Sequence, residues 1–248
     1  MFRYGKAAGL RGVGAWVVAG VVLVGAGGCS GEGDRDGATV DGKASASAVP
    51  APPAPLGQAL LTAASLTDGE RVGRYTVSEY ALGAPLGEDY TAEPAVCQPL
   101  VSLAGGATAF EPAAEVHRRA EVPGGTLGVT VSVQLRSYAD GGAAGVMSAL
   151  REAGRECADG FTEVRATARA AYLKVEPDRA PDVGDEATAY RFTVRDVKGV
   201  LKLYEYLTVV RSGSTTLSFR AEILGTEDVG GVPDDLVRAQ WQKFRAAR

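Results

Sequence analysis

Between residues 126 and 136 the chain alternates strictly. Leu127, Val129, Val131, Val133 and Leu135 stand between Thr126, Gly128, Thr130, Ser132, Gln134 and Arg136. A period of two belongs to a strand with one face on a core and the other turned to a polar setting. The scheme recurs over 190–195 and 217–223, while 201–210 reads as a strand with apolar groups on both faces. Residues 72–80, 114–122 and 165–175 are weaker strands, the last slipping its alternation at Ala170-Ala171, where a bulge is expected. The short connections 195–199 and 211–214 are hairpin turns, which makes the second half of the sheet antiparallel.

Helical spacing is rarer. Residues 57–66 are short and Ala-rich, and 93–103 are partly helical despite Pro99. Over 141–158, Ala143, Met147, Leu150, Gly154 and Cys157 fall on one stripe at spacings of three or four. The last helix opens at Pro233, carries Asp234 and Asp235 in its first turn and ends with Lys243, Arg245 and Arg248, matching the helix dipole. Its stripe is Val237, Trp241 and Phe244. These elements predict an α+β fold, a curved antiparallel sheet of about six or seven strands with helices packed mainly on one face. Residues 57–248 are long enough to make it one domain.

The first 28 residues behave as a leader. Arg3, Lys6 and Arg11 precede an apolar run over 13–26, and no acidic residue occurs before Glu32. At about 14 residues the run is short for a membrane span and has the pattern of a secretory signal. It ends Leu23-Val24-Gly25-Ala26-Gly27-Gly28-Cys29, which resembles a bacterial lipobox, with Ala26 where Leu is usual. The resemblance implies acylation and cleavage at Cys29, and hence a membrane partner reached through that lipid on the outer face of the cytoplasmic membrane. Ordinary secretion and an uncut signal are the alternatives. Residues 29–56 follow as a lipidated Cys and a flexible, then Pro-rich, linker. Asp34-Arg35-Asp36-Gly37 is a fragment of a calcium loop without its later ligands and reads as spacer.

Cys29, Cys97 and Cys157 are the three cysteines. With Cys29 carrying lipid, export makes a Cys97–Cys157 disulfide the default for the remaining pair. The competing redox or metal reading lacks a C-x-x-C and has a single His to draw on. The chain has 26 basic and 30 acidic residues; the leader holds three of the basic and none of the acidic, so the mature part is 23 against 30, a net of −7. That balance excludes nucleic acid as a partner and argues against a polybasic grip on anionic lipid, so the lipid on Cys29 must carry the membrane association.

No catalytic motif stands out. His117 sits beside Arg118 and Arg119 and reads as a surface histidine, and no Gly-x-Ser-x-Gly elbow occurs. No phosphate loop, metal site or cofactor motif is present. Two features bear on a site. Glu205 takes the parity of Leu201, Leu203, Leu207 and Val209, so it is either a buried acid needing an Arg or Tyr partner, or turned to solvent by exposure or a bulge. Arg191, Arg195, Lys202, Tyr204, Tyr206 and Arg220 hold the polar parities of the late strands; they form either a ligand groove or a solvated face of cross-strand ion pairs.

The opening Ala59-Leu60-Leu61-Thr62-Ala63-Ala64-Ser65-Leu66, a Cys in an early helix, an alternating strand, an Ala-rich helix ending in Cys157, further strands and a final helix resemble actinobacterial envelope modules. These include the extracellular sensor domain of PknH-type kinases and related small lipoproteins. The resemblance implies an antiparallel α+β fold, a cleft and ligand sensing rather than catalysis. It implies two disulfides, where this chain offers one pair. The expectation is a lipid-anchored, non-catalytic module that binds a small molecule, glycan or peptide of the envelope. A carrier of a lipid or other apolar ligand and a carboxylate-based envelope hydrolase are the alternatives.

Overall fold

The computed structural model describes residues 53–248 except 125–127, 197 and 224. The leader, Cys29 and the linker as far as residue 52 lie outside the described residues, as do Thr126 and Leu127 of the alternating segment and Val197 of the first expected turn. Ten strands form one antiparallel sheet: β1 (Arg71–Val72), β2 (Tyr75–Ser78), β3 (Thr91–Glu93), β4 (Pro112–Glu121), β5 (Val129–Tyr138), β6 (Phe161–Val164), β7 (Arg169–Pro177), β8 (Glu186–Arg195), β9 (Lys202–Ser212) and β10 (Thr215–Ile223). Their order across the sheet is β1-β2-β4-β5-β10-β9-β8-β7-β6-β3. The α+β class is as expected, but the sheet is wider than six or seven strands. The additional strands are β1, β3 and β6, of two, three and four residues. Runs that short carry too few alternations to register as a period.

The register explains the rest. Ala170 and Ala171 pair regularly with Glu163 and Thr162; the irregularity lies between Tyr172 and Lys174, so the bulge sits later than the sequence suggests. The β9–β10 hairpin closes on Gly213 and Ser214 between the paired Ser212 and Thr215. Gly213 has φ 59°, a conformation open to glycine that matches the strand twist of a two-residue hairpin.

Paired residues share a face of the sheet. Val133, Phe219 and Thr208 line the first face, and Phe192 and Glu205 the second. On the first face Val131, Val133, Leu135 and Phe219 pack with Leu61 of α1 (Gln58–Ala63) and with Leu236, Val237 and Phe244 of α4 (Asp234–Ala246). On the second, Phe192, Leu207 and Val209 pack with Leu100 and Val101 of α2 (Gln98–Val101) and with Val146, Met147 and Leu150 of α3 (Gly142–Glu156). The helices therefore divide between the faces instead of gathering mainly on one. The cause is in β9, where Leu207 and Val209 point one way and Tyr206 and Val210 the other, so both sides need cover.

Helix α3 buries Ala143, Val146, Met147, Leu150, Ala153 and Gly154 on one stripe. Cutting Leu150 back to Ala there would cost about 2–5 kcal/mol. At Gly154 the helix lies so close to β8 that an added Cβ would fall 2.4 Å from the Tyr190 ring. Cys97, at the end of a 3-10 turn leading into α2, is bonded to Cys157 at the C-terminus of α3, with both residues buried. The polypeptide joins the fold before Leu56: Ala54 O accepts from Ser214 Oγ at 2.9 Å, and Leu56 N donates to Ser137 Oγ at 2.7 Å. No helix among the described residues is long and apolar enough to cross a membrane.

Candidate functional site

The alternation of β5 that builds the first core leaves Thr130, Ser132, Gln134 and Arg136 on the second face. Ser218, Arg220 and Glu222 of β10 lie beside them, and His117 and Arg119 of β4 lie on the other side. This polar strip is not filled by a helix stripe. The segment 80–103 borders it and leaves a cleft of about 770 Å³. The sheet contributes hydroxyl and amide groups from Thr130, Ser132, Gln134 and Ser218. The bordering segment contributes apolar groups from Leu82, Leu86, Pro99, Val101 and Leu103.

Glu205 lines this cleft with its side chain only 14 % exposed. It sits in regular ladder pairing with Phe192 and Glu222, without a bulge to turn it outward. Its Oε2 accepts from the Tyr172 hydroxyl at 2.8 Å and from Arg220 Nη1 at 3.1 Å. The same Tyr172 hydroxyl is 3.0 Å from Glu163 Oε2, and Glu163 is paired with Arg165 at 2.6 Å. A hydroxyl has one proton to donate, so both Tyr172 contacts are hydrogen bonds only when one of the two acids is protonated. Burial pushes the Glu205 carboxyl up to about 7 against the pull of Arg220, with Glu222 and Glu163 adding to the rise. Arg220 is fixed from the far side by the carbonyls of Leu100 and Val101, and its guanidinium lies 5.4 Å from the Phe192 ring centre.

A second buried ionic cluster borders the strip. Arg136, 1 % exposed, meets Glu88, Glu115 and Gln134. Glu88 also accepts from Gln134 and from Ser102 Oγ, which ties the segment 80–103 to the sheet. His117 is buried and not on the surface as its basic neighbours suggested. Its ring nitrogens have no hydrogen-bond partner among the described residues; Glu115 Oε1 stands 3.5 Å from Nε2. Glu115 is held down at about 2 by His117 and Arg136 despite the opposing effect of partial burial.

The five groove residues divide. Arg220 is on the second face, opposite Leu207, and belongs to the cleft. Arg195, paired with Lys202, has the first-face parity of Arg191 but, at the end of β8, also borders the cleft. Arg191, Tyr204 and Tyr206 are on the first face, away from it. There Arg191 pairs with Glu176 at 2.8 Å and Asp228 at 2.6 Å and lies 4.5 Å over Tyr204, while the Tyr206 hydroxyl donates to Asp228. Those three residues hold the 228–230 loop against the sheet. Parity misplaced Arg220 because β10 pairs Ala221, not Arg220, with Tyr206. Sequence reasoning missed Tyr172, Glu163, Arg165, Glu88 and Arg136. Only Arg136 was in a segment whose alternation was clear, and nothing local marks a polar position as buried. No group of three metal-ligating side chains occurs among the described residues.

No family model matches the chain, and no curated protein matches it. Among solved structures it resembles the extracellular domain of PknH from Mycobacterium tuberculosis, at 12 % identity and a TM-score of 0.49 over 78 % of this chain and 97 % of that one. It also resembles an uncharacterized protein, the Rv0999 ortholog, from Mycobacterium smegmatis, at 17 % identity and a TM-score of 0.36 over 71 % of this chain and 87 % of that one.

Proposed function

We propose that the chain is a non-catalytic, sensor-like binding module held at the outer face of the cytoplasmic membrane by a lipid on Cys29, and that the cleft on the second sheet face is its ligand site. The proposal gives this chain the extracellular setting of the PknH domain it resembles. The observation that carries it is the cleft of about 770 Å³ with Glu205 and Arg220 at its base. That volume falls in the range of small-molecule sites, and one polar and one apolar wall suit an amphipathic envelope molecule, glycan or peptide. The test is a thermal-shift screen of muropeptides, short glycans and acylated amphiphiles. A ligand at about a hundred times its Kd stabilises by about 2.7 kcal/mol. Thr130→Trp, which fills the cleft from the sheet side, is expected to abolish that shift. A shift that survives Thr130→Trp would place the ligand elsewhere. The anchor is checked separately by the intact mass of the mature protein, which is expected to include diacylglycerol on Cys29; an unmodified Cys29 in a host that processes such signals would remove that part of the reading.

A second reading has one observation in its favour. Glu205 and Glu163 approach one Tyr172 hydroxyl, and Glu205 keeps its proton near neutrality. Two acids at one site, one of them kept protonated, are part of what a carboxylate hydrolase requires. Release of reducing ends from wall glycan, lost in Glu205→Gln, would establish it; no release by the wild type would end it.

A further inference from the structure

We infer that the tip of the β8–β9 hairpin docks on an anionic phospholipid bilayer, a contact additional to any lipid on Cys29 and independent of what fills the cleft. The described ends of the turn are tied to each other. Asp196 Oδ1 accepts from the amides of Val200 at 2.6 Å and Leu201 at 2.8 Å, and Asp196 N donates to Leu201 O at 3.0 Å. Aliphatic groups beside those bonds face solvent: Val200 is 77 % exposed and Leu201 48 %. Across the cleft the opposite rim does the same, with Leu82 at 83 % and Leu86 at 67 %.

Charge supplies the second half of the case. Arg195 and Lys202 are direct cross-strand partners at the end of the ladder, and Lys198 lies in the turn between them; all three are exposed. Like charges placed opposite one another destabilise a sheet. Elsewhere on the same strands the cations are compensated, Arg191 of β8 by Glu176 and Asp228 and Arg211 of β9 by Asp185 and Glu186. Among the described residues Arg195, Lys198 and Lys202 have no such ion pair, and the nearby carboxylate, Asp196, spends one oxygen on the backbone. Three cations set behind two aliphatic side chains fit the bilayer interface, where the aliphatics reach below the headgroups and the cations meet phosphates. An acidic protein would satisfy the cations and gives no reason for the aliphatics. The chain's net charge of −4 conceals this patch, because it is local.

The test uses the chain from residue 29 onward with Cys29→Ser, so that no acyl group contributes. Flotation is measured with vesicles of equal phosphatidylglycerol and phosphatidylcholine and with phosphatidylcholine alone. Binding to the anionic vesicles is expected at low salt, with release at about 0.5 M salt. Lys198→Glu together with Lys202→Glu is expected to weaken binding by about thirtyfold or more, at roughly a factor of five for each cation. Val200→Ser with Leu201→Ser is expected to weaken it about tenfold or more with the charge unchanged. All four positions are exposed, and an unaltered urea midpoint confirms that the variants fold. Absence of binding to the anionic vesicles, or equal binding to the neutral ones, would overturn the inference. Loss in the charge variant with none in the aliphatic variant would also overturn it, and would point to an acidic macromolecule instead.

Discussion

Replacing Glu205 by Gln tests the chemistry at the base of the cleft. Folded Glu205 keeps its proton up to about 7, whereas an ordinary carboxyl releases it at 4.5. Below 4.5 both folded and unfolded states are protonated, and the stabilisation from this group is fully present. As pH rises from 4.5 through 7 the unfolded state ionises first, and the stabilisation is lost. The interval corresponds to about 3 kcal/mol, at 1.36 kcal/mol for each tenfold change in proton affinity. Gln has the shape of the protonated acid and does not titrate. It leaves Arg220 facing a neutral group, as protonated Glu205 does, so the two chains should be of similar stability at about pH 4.5. Urea unfolding followed by circular dichroism, at intervals from about pH 4.5 to 8.5, is then expected to show Glu205→Gln gaining on the wild type. The gain should level off above pH 7, and differencing the two curves removes every other titrating group. A flat difference, or one favouring the wild type as pH rises, would mean that Arg220 outweighs burial and that the cleft base holds an ionised carboxylate with no proton near neutrality.

Glu115 carries the opposite sign: its carboxyl, held at about 2, stabilises the fold above 4.5 and loses that contribution as pH falls from 4.5 toward 2. Glu115→Gln is therefore expected to lower stability near pH 7, with the deficit closing in acid; because the side chain is 45 % exposed the deficit is about 1 kcal/mol or less, measured by urea unfolding. Cys97→Ser with Cys157→Ser opens a loop of sequence separation 60, and the chain-entropy relation gives a loss of about 4 kcal/mol, read from the urea midpoint under non-reducing conditions. Gly154→Ala forces a methyl against Tyr190, and a loss of about 1–3 kcal/mol is expected despite the better helix propensity of Ala; an unchanged midpoint would mean that α3 can shift away from β8.

The long elements were legible because their periods run for many residues. The alternation within 126–136 assigned a face to each of its side chains, and the spacing of Ala143, Met147 and Leu150 did the same for α3. Strands β1, β3 and β6 were not legible, since two to four residues draw their pairing from neighbours that sequence does not name. The division of helices between two faces was written in the mixed parity of 201–210, but reading it required knowing that β9 is central, between β8 and β10. Glu205 was visible as a break in pattern; its partners Tyr172 and Arg220 come from strands whose register against β9 only the folded sheet defines. Arg191 and Tyr206 do face the same way, but at one side of the sheet while Arg220 is on the other, a difference of one residue in register.

The cleft and the disulfide belong to one mechanical unit. Arg220 reaches from β10 to the carbonyls of Leu100 and Val101 in α2, and Cys97, immediately before α2, is bonded to the end of α3. Glu205 shares Arg220 with those carbonyls. In the proposed site, a ligand group bonding Arg220 would compete with the contacts that seat α2 on the sheet. The disulfide ties the start of α2 to the end of α3, whose stripe is packed on β8 and β9. The polar second face left by β5 thus carries the cleft, and Arg220 joins its base to α2.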